Sequence, residues 1–390
     1  MSNITKRPNV RPTMPNFSSG PCPKRPGWDV SALNGALTGR SHRSRLGREK
    51  IGQVLSQSRK ILKLPADYQI GITPASDTGA FELALWNLLG QRGVDVLAWE
   101  SFGKGWVVDI VDQLKIEDTN VFDANYGELP DLSQVNFDRD VIFTWNGTTS
   151  GVRVPDGDWI PLDRSGLTIC DATSAVFGMD LPWEKLDVVT YSWQKSMGGE
   201  GQHGVVIFSP SAIKRLNSYT PSRPLPKIFR LKSKNKVNDS FFDGATINTP
   251  SMLCVEDALD GLEWAEKIGG LDTLLSRSDS NLAVLSDWVS ESENVEFLAR
   301  SPDIRSNTSV CLNICAPWFL ELDVQDKVKA VKVITNILEE EEVAYDIESY
   351  REAPPGLRIW AGATVESEDI RILTGWIDWA ISKARNKFNL

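Results

Sequence analysis

Histidine is almost missing from this chain: His42 and His203 are the only two among 390 residues. A metal site built on imidazole has little to draw on, and the five cysteines, Cys22, Cys170, Cys254, Cys311 and Cys315, do not make up the deficit. Cys311 and Cys315 lie close together, but no second close pair exists and Ser309-Val-Cys-Leu-Asn-Ile-Cys315 reads as a strand. Core packing is expected there, with no metal. An odd, scattered set of cysteines with no secretory signal ahead of it suits a reducing cytoplasm better than a disulfide framework. No apolar run approaches the roughly 20 residues that cross a bilayer, and Lys6, Arg7 and Arg11 have no apolar stretch behind them. The chain is expected to be neither exported nor embedded in a membrane. Positive charge is also short, with 42 Lys and Arg against 52 Asp and Glu for a formal charge of −10. That balance opposes nonspecific attraction to nucleic acid or an anionic membrane, while leaving room for a local basic site that binds a small anion. There is no repeat at a solenoid period, and no Gly-x-Gly-x-x-Gly dinucleotide fingerprint follows a strand.

What is present suits a globular enzyme. Hydrophobic residues at 41% are ample for burial, and 24% charged residues is ordinary. The length exceeds what one core usually serves, so two domains are expected. Residues 1–30 are Pro-rich and should form an extended arm that needs another surface to lie on. From Ile70 to about Phe208, short apolar runs alternate with amphipathic stretches: Val94–Trp99, Val141–Trp145, Leu167–Cys170, Val188–Tyr191 and Val205–Phe208. This rhythm indicates α/β architecture with a largely parallel sheet in a large domain, 31–269. A polar insert between Pro221 and Asp239, holding Lys227, Arg230, Lys232, Lys234 and Lys236, reads as a solvated loop. Val255 to Ile268 reads as a helix with Val255, Leu259 and Leu262 on one face, and a boundary is expected near Gly269-Gly270. The smaller α+β domain, 270–390, should carry strands near Val310–Ile314 and Leu357–Trp360. A helix presenting Val324, Val328, Val331, Thr335 and Leu338 should cover them, and a last helix should point Ile370, Leu373, Ile377, Ile381 and Ala384 inward.

The strand ends carry the chemistry. Asp187-Val-Val-Thr-Tyr-Ser-Trp-Gln-Lys195 is an apolar run that hands a lysine to the Gly-rich loop Met197-Gly-Gly-Glu-Gly201, and Leu167-Thr-Ile-Cys170 delivers Asp171 in the same way. In open sheets, ligands collect beyond the carboxyl ends of the strands, and Asn146, Asp171 and Lys195 all follow such ends. An amine and an acid placed so suit pyridoxal 5'-phosphate, whose aldehyde takes a lysine in a Schiff base and whose pyridine nitrogen needs a carboxylate partner to stay protonated. The cofactor's phosphate needs a helix start with free N–H groups. Pro74-Ala-Ser-Asp-Thr-Gly-Ala80, ahead of the helix-like Phe81–Trp86, is the candidate, although the same residues also make an ordinary helix cap.

Asn16-Phe-Ser-Ser-Gly-Pro21, Ser41-His-Arg-Ser44, Ser192-Trp-Gln-Lys195 and Asn248-Thr-Pro250 occur in the order and rough spacing of the phosphoserine aminotransferase family. This family belongs to the class V, fold type I pyridoxal phosphate enzymes, and the resemblance spans roughly residues 8 to 362. It implies the fold of the aspartate aminotransferase-like transferases and ping-pong transamination between L-glutamate and 3-phosphohydroxypyruvate. The products would be 2-oxoglutarate and O-phospho-L-serine, with 4-phosphohydroxy-L-threonine as a further substrate. It also implies roles. Lys195 is the Schiff-base lysine and proton shuttle, and Asp171 the partner of the pyridine nitrogen. Trp106 is similar to the aromatic that stacks on the ring, Thr148 to the hydroxyl near the ring oxygen, and Gln194 to a phosphate contact. By itself Trp106 reads equally well as core.

The phosphate turn departs from the family's glycine-richer one. Asp77 stands there with a charge that opposes a phosphate; it is counted with Thr78 among the cofactor contacts, Thr78 and the local amides being better suited to the phosphate than the Asp77 side chain, for which helix capping is the alternative. Asn248 and Thr249 match residues that reach the neighbouring subunit's phosphate, implying a homodimer with composite sites. For the anionic substrates, Arg358 resembles the α-carboxylate contact, and His42 and Arg43 the contacts to the phosphate or side-chain carboxylate. The family's His-Arg pair before the last arginine has only Tyr350-Arg351 as its nearest equivalent. A serine-pyruvate or alanine-glyoxylate aminotransferase is the alternative within class V, and a small uncharged substrate would not need His42 and Arg43.

Overall fold

The computed structural model describes residues 6–233 and 236–388. Helix α1 (Arg45–Ile61) starts where the Ser44 hydroxyl accepts the Gly47 N–H, and it buries Ile51, Val54, Leu55 and Ile61. The chain then alternates through β1 (Gln69–Pro74), α2 (Ser76–Leu88), β2 (Val94–Ala98), α3 (Ser101–Val108), β3 (Thr119–Asp123) and β4 (Asp140–Thr144). A short hairpin of β5 (Asn146–Gly147) and β6 (Val152–Arg153) follows β4. Strands β7 (Thr168–Asp171), β8 (Val188–Ser192) and β9 (His203–Phe208) complete a seven-stranded sheet in the order β1-β9-β8-β7-β4-β2-β3. Strands β8, β7, β4, β2 and β3 pair in parallel, and β9 alone runs antiparallel to both of its neighbours. Strands β2, β4, β7, β8 and β9 are buried along their whole length, which is why they read as continuous Val/Ile-rich runs. The topology gathers the carboxyl ends of β1, β2, β4, β7 and β8, with the amino end of β9, on one edge.

Helix α4 (Pro210–Ser218) leads into the polar insert, whose β10 (Lys232–Ser233) and β11 (Lys236–Val237) form a two-strand hairpin. The insert is less solvated than its charge suggests. Phe229, Leu231, Val237 and Phe241 bury into the core beside α2, and Lys232 Nζ donates to the carbonyls of Leu216 and Tyr219. Lys234 lies outside the described residues. Helix α5 (Met252–Lys267) buries Val255, Leu259 and Leu262 as expected and starts at Ser251, whose hydroxyl accepts the Cys254 N–H. Gly269 and Gly270, with φ of 118° and 74°, turn it into α6 (Leu271–Glu291).

The C-terminal part is an antiparallel sheet of β12 (Val295–Phe297), β13 (Ser309–Ile314) and β14 (Gly356–Trp360), with α7 (Pro317–Leu320), α8 (Val324–Glu340) and α9 (Ser367–Arg385). Helix α9 buries the five expected residues. Helix α8 is rotated from the expected face: Ala330, Val331, Ile334, Ile337 and Leu338 point inward, while Val324 and Val328 are 70% and 48% exposed. The apolar spacing that begins at Val324 holds only from Val331 onward, because the first turns of the helix are not covered. The N-terminal arm lies on this C-terminal unit of its own chain. Phe17 is fully buried there, its carbonyl accepts the Trp360 N–H at 2.9 Å, and the Asp369 carboxylate accepts the N–H groups of Thr13 and Met14. No helix among the described residues is long and apolar enough to cross a membrane.

Candidate active site

A cavity of about 390 Å³ opens beyond the carboxyl edge of the large sheet. Each strand end contributes to its wall: Ser76, Asp77 and Thr78 after β1, Glu100 after β2, Thr144 and Asn146 at β4, Asp171 and Thr173 at β7, and Gln194 and Lys195 after β8. Gly20 and Pro21 of the arm close one side.

Lys195 is 8% exposed, and its Nζ donates to the backbone carbonyl of Ser19. A Cβ on Gly20 would fall 2.7 Å from that Nζ, so the arm approaches the amine closely only because residue 20 is glycine. Gly198, with φ of 62°, lets the chain double back so that the Gly199 N–H bonds the Trp193 carbonyl at 2.9 Å, which holds Lys195 at the loop's turn. Burial pushes the Lys195 amine below the ordinary lysine value. The neutral, nucleophilic form is thereby favoured.

Asp171 is fixed from two sides. Its Oδ2 accepts the indole N–H of Trp106 at 3.1 Å and its Oδ1 the backbone N–H of Thr173 at 3.0 Å. Trp106 is 7% exposed, with its ring 4.5 Å from that of Phe81. The aromatic wall and the acid are therefore one assembly. The Thr148 hydroxyl donates to Ser174 Oγ at 2.7 Å, and the Thr148 carbonyl accepts from Ser309 Oγ at 2.8 Å, which ties the cavity to β13. Gln194 Oε1 is buried without a hydrogen-bond partner, as are Thr144 Oγ1 and Thr173 Oγ1.

Helix α2 begins at Ala75 in the left-handed region, φ 67°, with no side-chain cap. The Ser76 N–H goes to the Gln202 carbonyl at 3.4 Å, and no side chain caps the N–H groups of Asp77 and Thr78 that follow it, which leaves them for an anion. The alternative that Asp77 caps this helix is not met. Its carboxyl turns instead toward Asp171, Thr173 and Thr190, where burial and the Asp171 charge raise it well above the usual carboxylate range. Thr78 remains exposed at the rim.

The cavity thus brings together Asp77, Thr78, Trp106, Thr148, Asp171, Gln194 and Lys195. Arg358, on β14, does not line it, but its charge reaches Lys195 and its guanidinium lies 5.7 Å from the Tyr350 ring centre. His42 and Arg43 sit just before α1, His42 buried and Arg43 exposed, and Asn248 and Thr249 are exposed ahead of α5; none of the four lines this chain's cavity. Arg351 is exposed and pairs with Glu352. Glu100 was not anticipated from the sequence. It is fully buried, accepts the Gly103 N–H at 2.7 Å and the Thr149 hydroxyl at 2.7 Å, and its carboxyl is raised by burial. The only signal for it is its place directly after a strand and three residues before Gly103, the pattern of an acidic helix cap.

A buried amine pushed below its ordinary value, a carboxylate held by an indole, and an uncapped helix start around one cavity match a cofactor that carries an aldehyde, a basic ring nitrogen and a phosphate. No protein-family model matches the chain. Among curated proteins, the chain is 56% identical over 374 residues to a phosphoserine aminotransferase of Methanosarcina barkeri, covering 96% of this chain and 98% of that protein. Among solved structures it superposes on a phosphoserine aminotransferase from Cytophaga hutchinsonii with a TM-score of 0.79 at 19% identity, covering 93% and 98% of the two chains. A phosphoserine aminotransferase from Trichomonas vaginalis, described as bound to pyridoxal phosphate, gives 0.73 at 18% identity with 94% and 99% covered. The fold of this chain is that of these aminotransferases.

Proposed function

The chain belongs to the phosphoserine aminotransferase family, and from that premise we propose that it transfers the amino group of L-glutamate to 3-phosphohydroxypyruvate, giving O-phospho-L-serine and 2-oxoglutarate. The observation that carries the reading is the single cavity in which the buried amine of Lys195 and the Trp106-held carboxylate of Asp171 meet. Pyridoxal phosphate fits these residues. Lys195 Nζ has one backbone acceptor, buried oxygens of Thr144, Thr173 and Gln194 lack partners, and the α2 start offers N–H groups where a phosphate would rest. When bound, the cofactor supplies an aldehyde for amine exchange and a protonated ring that draws electrons from the substrate's α-carbon.

Lys195 would hold the cofactor through Nζ, and the same amine, when free, would take the α-proton of glutamate and, in the reverse half, return a proton to the α-carbon of the oxo acid. The Trp106 N–H orients the Asp171 carboxylate, which would keep the ring nitrogen protonated, and the Trp106 ring would supply the aromatic wall for a flat cofactor. Thr148 supports the ring's edge, Gln194 and Thr78 the phosphate. Arg358, near Lys195, takes the α-carboxylate common to every substrate. His42, Arg43, Asn248 and Thr249 lie away from the cavity of their own chain, and their roles toward substrate phosphate and cofactor phosphate follow if two copies form a homodimer whose sites are shared. We retain an arm, 1–30, a cofactor domain, 31–269, and a smaller domain, 270–390, with 4-phosphohydroxy-L-threonine as a second substrate and the cytoplasm as the compartment. Steady-state transamination with glutamate and 3-phosphohydroxypyruvate tests the reading. Parallel-line ping-pong kinetics are expected, and a protein that aminates pyruvate or glyoxylate better than the phosphorylated acid overturns it.

A further inference from the structure

The sequence poses a charge conflict at Asp77: an acid stands in the first turn of the helix that would receive a phosphate. The structure buries its carboxyl in the cavity wall that Asp171 also lines, with Asp171, Thr173 and Thr190 as its polar neighbours. Two carboxyl groups this close and this dry do not both ionise. Their hydrogen bonds decide which one keeps the proton. Asp171 accepts two N–H groups, from Trp106 and Thr173. Asp77 Oδ1 accepts none, only the neutral hydroxyls of Thr173 and Thr190 face the rest of its carboxyl, and no cation pairs with Asp77 among the described residues. The other titratable groups around the pair are Cys170 of β7, Glu100 at the α3 start, Lys195 after β8, and His203 of β9, whose backbone bridges Ser76. Of these, Glu100 adds further acid, while burial holds both Lys195 and His203 below their ordinary values.

We propose that Asp77 is a positioning residue that stays protonated and donates its proton in a hydrogen bond to Asp171, so that one negative charge, carried by Asp171, faces the ring nitrogen and none opposes the phosphate at the start of α2. The direction in which burial and Asp171 push the Asp77 carboxyl agrees with this. The acid is then a hydrogen-bond donor, and an amide of the same shape can replace it where an alanine cannot.

The inference rests on the proposed cofactor in its second half only, and the test separates the two. Infrared difference spectra of cofactor-free wild type against Asp77→Asn at neutral pH should show a protonated carboxylic acid that the variant lacks; its absence in wild type overturns the proposal whatever the cofactor does. Pyridoxal phosphate titrations of wild type, Asp77→Asn and Asp77→Ala, together with the pH midpoint of the visible band of each loaded protein, read the second half. Asp77→Asn should bind within about twofold of wild type with an unmoved midpoint, while Asp77→Ala should bind about tenfold more weakly with a shifted midpoint. Should Asp77 instead be ionised, Asp77→Asn removes a charge beside the phosphate and tightens binding roughly tenfold, which contradicts the proposal. An alanine variant that matches wild type in both measures also contradicts it. If wild type binds no pyridoxal phosphate at all, the proposed function fails, and the infrared result still decides the state of Asp77.

Discussion

Trp106 joins two roles in one side chain, and Trp106→Phe separates them. The substitution keeps a flat ring against Phe81, whose centre lies 4.5 Å away, and removes the N–H that Asp171 Oδ2 accepts at 3.1 Å. Asp171 keeps only the Thr173 N–H on its other oxygen. A hydrogen bond to a charged group contributes about 1.5–3 kcal/mol. If that bond holds the carboxylate toward the ring nitrogen as charge develops there, kcat/KM for phosphoserine should fall about 10- to 150-fold. Trp106→Ala loses the aromatic contact as well, about 0.5–1.5 kcal/mol more, and should weaken cofactor binding itself. The assay is kcat/KM with phosphoserine beside cofactor affinity and thermal unfolding of each variant. Trp106→Phe with wild-type kcat/KM would show that the indole N–H does nothing for Asp171 in the reaction. A Phe variant that loses rate only in proportion to lost cofactor affinity would assign Trp106 to binding alone.

Arg43 is exposed in the single chain; where a partner copy covers it in a shared site, Arg43→Ala should cost about 2–5 kcal/mol in transition-state binding of phosphoserine, the range for truncating one partner of a buried charge pair, and much less for alanine. Arg358→Ala should weaken both amino donors alike. Equal losses on both donors in Arg43→Ala remove it from phosphate recognition. Asp140→Ala leaves Arg215, which is 7% exposed and bonded to both Asp140 oxygens at 2.9 and 3.1 Å, as a buried unpaired cation, so urea unfolding should show a loss of about 3–5 kcal/mol. For the cofactor-free protein, burial lowers Lys195 below its ordinary 10.5. The unfolded chain then binds more protons than the folded one between the two values, so wild-type stability rises with pH across that window. Lys195→Met lacks this slope: it should be more stable than wild type at neutral pH, with the gap closing as pH approaches 10.5, and a gap that is flat with pH contradicts a buried, weakened amine.

Lys195 and Asp171 were legible because each ends an apolar run that only a buried strand explains, and a charge at such an end has few reasons to be there. The sheet was legible for the same reason wherever strands are covered on both faces, as with β4 and β8. It was not legible at β3, an edge strand whose residues are only half-buried or exposed and therefore carry no apolar run. The seat of the arm depends on contacts between Phe17 and β14 that are separated by most of the chain, and no local pattern encodes them. Glu100 and the turn of Asp77 toward Asp171 were hidden because a buried acid in a strand-to-helix turn has the same sequence as a surface cap. The outward roll of Val324 and Val328 shows the limit of spacing alone: periodicity finds a helix but not which of two overlapping stripes its neighbours cover.

Passage of an amino group from phosphorylated substrate to pyridoxal phosphate at Lys195 is read out by a single turnover without acceptor. Cofactor-loaded protein is mixed with phosphoserine while the visible band and released 3-phosphohydroxypyruvate are followed together. The band should bleach as one equivalent of oxo acid per site appears, glutamate should bleach it likewise, and Lys195→Ala should do neither while remaining folded. A band that survives phosphoserine, or a Lys195→Ala protein that keeps both the band and the turnover, contradicts the account.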